Sequence, residues 1–418
     1  VSVSDSDAGA GLAVLADDSH DGGNNTNWLF GAAPVQWVGG SGSSFHTAAN
    51  WSSGQVPDAG TRVAVSTAAP LVISQAAAVR ELAVGGGGAA ASVTANAPLT
   101  VGEALTVLDG GTLSLNKPCV VSNAFAILDG GLVTHAANAA GEANKIDLTV
   151  SGDADIEPGG RIDVRAKGYA INKGPGAPGG NGGGSHGGRG INYAALTAGP
   201  CYGSIAAPTN LGSGGYWYPG GGAVRLTVAG RMRHNGEILA NASVKVQKHG
   251  VENDHYTGAG GSIFITAGSL LGNGAVRANG GHYMGDCGGG GGRIALEVTG
   301  AGAGFTGFTG EITAFGGRKD EQVLACKPAA GAGTIFLRCP ADGPQRGTLR
   351  INNDGGLGAN FVTDLPPDAQ WNPREAQRVR VRVEHGATLR LTADATVGDL
   401  WLCDADTRLN LDFNTLTI

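Results

Sequence analysis

The feature that most constrains this chain is a recurring unit of two short alternating strands, joined by a turn and followed by glycine. Five such units line up: residues 146–150 with 162–164, 224–228 with 238–240, 263–265 with 276–278, 294–298 with 312–314, and 335–337 with 349–351. Apolar residues two apart mark one buried face of a strand. Pieces of three to five residues cannot bury that face alone and must stack on their neighbours. Four of the units run into a glycine-rich excursion before the next begins. A second repeat type flanks the block, at 79–84, 99–101, 105–107, 112–115 and 127–131 before it, and at 387–391, 397–402, 407–411 and 415–418 after it. Stacked aliphatic ladders with glycine at the corners predict an all-β chain with the course of a parallel β-solenoid. A β-sandwich also uses short strands, but here the segments are near copies and the connections lengthen on one side only.

The 75 glycines among 418 residues, against roughly 7% in average usage, disfavour long helices, since each interior glycine costs about 1 kcal/mol relative to alanine. They follow no period of three, which excludes a collagen helix. No apolar run is long enough for a membrane-spanning helix, so no transmembrane segment is expected. The hydrophobic share of 41% supports a large core. The net charge of -7 comes with scattered Lys and Arg, which excludes nucleic acid as an expected partner. Arg378, Arg380 and Arg382 alternate with Val379, Val381 and Val383, as on one solvated strand face. The organisation read from these patterns is 1–60 as an N-terminal strand segment and cap, 61–145 as first rungs, 146–358 as the glycine-rich core with long loops, and 359–418 as C-terminal rungs. The start at Val1 reads as that of a processed secreted protein. Asn24, Asn50 and Asn241 fit the glycosylation acceptor pattern.

Residues 185–190, 202–204, 208–215, 221–226, 260–265, 278–281, 288–294 and 331–335 occur in an order that resembles the Gly-rich solenoid modules of large secreted and surface proteins of bacteria and some protists. The flanks, with Trp37, Trp51 and Pro57, resemble autotransporter-like β-strand repeats. The resemblance implies a right-handed parallel β-helix with long Gly-rich loops on one flank, and a secreted, extracellular or cell-surface setting. It implies no single activity, because such modules are scaffolds.

The glycine runs are broken at three places, 248–256, 282–287 and 318–327, and stacking places these loops side by side. If the chain is an enzyme, a polysaccharide lyase acting on an acidic polysaccharide needs a base, an acid and a cation for the developing enolate. The nominees are His255, Tyr256, His282, Lys248 and Arg318. A glycoside hydrolase would instead pair two carboxylates, such as Asp254 and Asp286. Tyr216, Trp217, Tyr218 and Tyr283 are the candidate sugar-binding aromatics. No cofactor is required; calcium could be held by Glu252, Asp254 and Asp286, although no EF-hand or nonapeptide pattern is present. A zinc or copper site from His249, His255 and His282 has less specific spacing. His186 and Arg189 read as structural, with the histidine bonded to backbone carbonyls. Of six cysteines, Cys287 and Cys326 on neighbouring excursions are the expected disulfide, with Cys201 or Cys339 as competing partners. The leading expectation is an extracellular structural or adhesive protein whose partners are further copies of itself, stacked head to tail, or a glycan.

Overall fold

The computed structural model describes residues 33–180, 182–191, 198–242, 258–281, 288–317, 330–343, 346–354, 362–365 and 379–418, together with the backbone of Ser2–Val3, Val14–Asp17, His20–Asp21 and Trp28–Gly31. It is all-β, with two short 3-10 turns at Ala48–Asn50 and Pro340–Asp342. The alternation seen in the sequence is the cause. In Ala91–Ala95, Gly111–Leu115 and Ile146–Val150, every second residue is buried and the Ser, Thr or Asp between faces outward, as a pleated strand requires.

Strands pair in parallel with their counterparts one pass later. Leu71, Val93, Leu113, Val133, Ile162, Ile238, Val276 and Ile312 form one column of register partners across an eight-stranded sheet. Leu99, Cys119, Leu148, Leu226, Ile265, Leu296 and Leu337 form another in the larger sheet. Both columns run through one continuous core, their last members Ile312 and Leu337 only partly buried. This course is compatible with a solenoid. Each later excursion leaves at the same corner: after Arg161–Asp163, Glu237–Leu239, Ala275–Arg277 and Glu311–Thr313, and before Ala223–His234, Ser262–Leu271, Arg293–Val298 and Thr334–Arg338.

At that corner the chain is neither helix nor sheet, yet glycine segments bond to one another through their backbones. Gly290 N donates to Gly184 O (2.9 Å), Gly260 N to Gly290 O (3.0 Å), Gly291 N to Gly331 O (3.0 Å) and Gly187 N to Gly291 O (2.9 Å). The segments approach so closely that a Cβ on Gly261 would overlap the carbonyl oxygen of Gly222, and one on Gly290 that of Gly188. Glycine is required there for close approach, not for a turn.

At the other end of this core, Trp37, Phe45 and Trp51 pack edge to face at 5.0–5.2 Å. Trp51 Nε1 donates to Phe45 O (2.7 Å) and Trp37 Nε1 to Ala69 O (2.9 Å). Asn50 is wholly buried, its Nδ2 donating to Ser44 O and its Oδ1 accepting from Ser41 N. That overturns its reading as a glycosylation acceptor, because the amide nitrogen is inaccessible.

The fifth repeat unit also departs from expectation. Thr334–Arg338 and Gly347–Asn352 pair with each other antiparallel, Phe336 opposite Leu349. The intervening turn at Pro340–Asp342 and Gly343 reverses the chain. Parallel pairing then resumes from Gly347–Asn352 to Val379–Glu384 to Asp399–Leu402. A second core, including Leu349, Val381, Leu389 and Leu391, packs on Ala295 and Phe336. One strand therefore serves two cores: Ile335 faces the first and Phe336 the second. Val379, Val381 and Val383 are buried while Arg380 and Arg382 lie outward, as their alternation predicts.

Two substitutions separate ladder packing from glycine packing. Leu105→Ala should cost about 2–5 kcal/mol through the cavity it leaves. Gly261→Ala should cost more than about 4 kcal/mol or abolish folding, while Gly141→Ala, where a Cβ meets nothing, should stay within about 0.5 kcal/mol of the parent. Urea denaturation followed by circular dichroism measures all three. Equal stability of the Gly261 and Gly141 variants would refute the close-packing account.

Candidate functional site

The corner from which the excursions leave is the candidate site, and a ladder of backbone hydrogen bonds assembles its floor. Gly281 N donates to Gly258 O (3.1 Å), Gly289 N to Gly281 O (3.3 Å), Gly317 N to Gly289 O (2.8 Å) and Ala330 N to Gly317 O (3.1 Å). These residues flank 259–280 and the three glycine-interrupting loops, so the stems of those loops stand next to one another. His255, Tyr256, His282, Lys248, Arg318, Tyr283, Glu252, Asp254, Asp286, His249, Cys287 and Cys326 lie outside the described residues.

Of the nominated residues that are described, Tyr216, Trp217 and Tyr218 sit on a tight loop. Gly215 N donates to Tyr218 O (2.9 Å) and Tyr216 N to Gly182 O (3.0 Å). The Tyr216 ring packs toward Ile191 and Ala330 and meets the Trp217 ring edge-on at 4.9 Å. Trp217 is 45% exposed, a large apolar face held outward by its neighbours.

Beneath this floor lies a buried polar cluster. Position by position, Ala223, Ser262, Arg293 and Thr334 are register partners at the start of successive strands. Arg293 is fully buried; its Nε donates to Tyr202 O (2.7 Å) and its Nη1 to Thr334 Oγ1 (3.0 Å). Tyr202 donates its hydroxyl to Leu211 O (2.6 Å), with Ser213 Oγ 2.8 Å away. His186 Nδ1 lies 2.8 Å from Gly260 O, and the ring lies 4.7 Å from that of Tyr202. Burial, helped by the Arg293 charge, pushes the His186 pKa down to about 3, so the neutral imidazole donates to the carbonyl. The backbone partner expected for His186 is present. Arg189 and Arg390 both reach Asp364, at 2.7 Å each, tying the long excursion to the second core.

Among the described residues, Cys119, Cys201, Cys339 and Cys403 carry no disulfide, and no group of three His, Cys, Asp or Glu could hold a metal ion. Burial pushes the Cys201 thiol up to about 12, which keeps it an unreactive thiol. Asn241 Oδ1 accepts from Asn279 N (2.7 Å), and Asn279 Oδ1 from Phe315 N (2.8 Å), so Asn241 serves a column of side-chain amides. Sequence reasoning missed Arg293 and these amides. The signal was there in register: Arg293 follows glycine at the start of its strand, and Asn241 and Asn279 each follow alanine just after the second strand of their units.

Compared with known protein families, curated proteins and solved structures, the chain matches none.

Three buried histidines make stability pH-dependent. Besides His186, burial holds His135 and His234 at about 4, with His234 Nε2 3.1 Å from Ala275 O. Unfolded, each titrates near 6.5, so between pH 6.5 and 4 the unfolded chain binds more protons. Their contribution is complete above pH 6.5 and is lost as pH falls toward 4. His234→Leu should flatten the acid-side loss by up to about 1.4 kcal/mol per pH unit. Urea midpoints at pH 7, 6 and 5 measure this, and parallel curves for parent and variant would contradict it.

Proposed function

We propose that the chain is a right-handed parallel β-helix serving as an extracellular structural or adhesive module that binds glycans at the corner of its excursions. Handedness follows from the rule that crossovers between parallel strands of one sheet are right-handed in about 98% of cases. The secreted or surface setting rests on the resemblance to Gly-rich surface modules. The observation that carries the binding role is Trp217, exposed on a loop whose backbone is pinned to the glycine floor. An exposed aromatic face on a rigid support suits the apolar face of a sugar ring, because little ordering entropy is lost on binding. Trp401, Leu402, Leu411 and Phe413 are exposed large apolar residues on a second surface, and in this reading a further copy covers them. The lyase reading rests on residues outside the described ones.

Screening a glycan array and then titrating any hit should show about tenfold weaker binding by Trp217→Ala, with unchanged melting. Sedimentation at rising concentration should show association that the Trp401→Ser, Phe413→Ser double variant lacks. An array without hits, or undiminished affinity in Trp217→Ala, would count against the glycan role. A concentration-independent monomer would count against self-association.

A further inference from the structure

Away from the corner, where the chain reverses direction, a cleft of about 420 Å³ opens between the two cores. Its size falls within the range of about 300–1,000 Å³ typical of ligand pockets. One wall is apolar, formed by Phe305 and Leu337, and Thr348 contributes a hydroxyl. Beside them, on the same sheet face as Leu337 and Thr348, stand Arg350 and Arg382, which are direct register partners on adjacent parallel strands. Like charges placed directly opposite across a strand pair are destabilising unless an anion offsets them.

What holds them is Glu384. Its Oε1 accepts from Arg382 Nε (2.9 Å) and its Oε2 from Arg350 Nη2 (3.1 Å), with Asn352 Nδ2 at 3.5 Å. The carboxylate is only 7% exposed, whereas Arg350 is 34% and Arg382 47% exposed. Asp342, also lining the cleft, is already paired with Arg380. The anions thus lie underneath and the guanidinium groups lie on the surface, so that the two positive charges of the lining, formally balanced by Asp342 and Glu384, are the ones a ligand meets. The Arg382 guanidinium also lies 5.9 Å from the Trp401 ring, which fixes its plane further.

We propose that this cleft binds a carboxylate-bearing sugar, the uronic acid residue of an acidic oligosaccharide. The two guanidinium groups, each with N–H donors beyond the one given to Glu384, present the planar fork that suits a carboxylate. Phe305 and Leu337 face the apolar side of the ring, and Thr348 is placed to meet a ring hydroxyl. The cleft is separate from Trp217 and stands whether or not the corner binds glycans.

Calorimetric titration of the full chain with trigalacturonate and with its methyl ester tests this. The acid should bind at least about tenfold more tightly than the ester, and more weakly as salt rises. Arg382→Ala should weaken binding of the acid at least about tenfold, and Arg382→Lys should not restore it, since the charge returns without the fork. Arg382→Ala leaves Glu384 paired with Arg350 and Asn352, so its melting should match the parent. Trp217→Ala should bind the acid like the parent. Absence of binding, equal affinity for the ester, or full affinity in Arg382→Ala overturns the proposal. Binding abolished by Trp217→Ala alone assigns the sugar to the corner and overturns it equally.

Discussion

The structure depends on backbone amides finding partners where no sheet is available to supply them. Buried N–H and C=O groups left unpaired are costly, and the excursions between Asp163 and Thr334 carry many. They are satisfied by other excursions, Gly187 by Gly291, Gly291 by Gly331 and Gly260 by Gly290. That arrangement works only while the segments touch backbone to backbone. Glycine at these places is therefore a packing residue, comparable in importance to the leucines and valines of the ladders. The strands hold the excursions in register, and the excursions seal one edge of the strands.

A polar cluster completes the same corner. Arg293 occupies a register position where its neighbours are Ala, Ser and Thr. Its charge is accommodated because Tyr202 O and Thr334 Oγ1 accept from it. His186 remains neutral a short distance away. These groups have the chemistry of catalytic residues but the surroundings of structural ones: they are buried, bonded to backbone and shifted toward their neutral or paired states. Among the described residues, exposed side chains suited to a ligand lie elsewhere, at Trp217 and at the Arg350–Arg382 pair beside the reversal.

Much of this was legible in the sequence. Period-two alternation marked the strands at 99–101, 112–115 and 146–150, and the places where glycine runs intervene marked the corner. Trp217 stood out because aromatics are scarce amid glycine. The antiparallel pairing of Thr334–Arg338 with Gly347–Asn352 was not legible, because parallel and antiparallel strands share the same alternation and only the tight turn through Pro340 and Gly343 distinguishes them. The cleft was hidden for a related reason: Arg350 and Arg382 are far apart in the chain, and each alone reads as an outward residue of a solvated strand. The amide of Asn50 looked accessible because its burial, with bonds to Ser41 and Ser44, arises only in the folded chain.

The Arg189–Asp364 contact links residues 175 positions apart. The early passes close loops of about 20 residues, and loop-closure entropy grows only slowly with length, so they can form in sequence as the chain is made. The Arg189 contact cannot form until the strand Val362–Leu365 exists and the chain has reversed. Other bonds of the long excursion, such as Gly183 to Ile191 and Gly212 to Gly221, need nothing beyond the excursion itself. The Arg189–Asp364–Arg390 clasp is thus a long-range lock, closed by the last part of the chain on a corner built by the earlier parts.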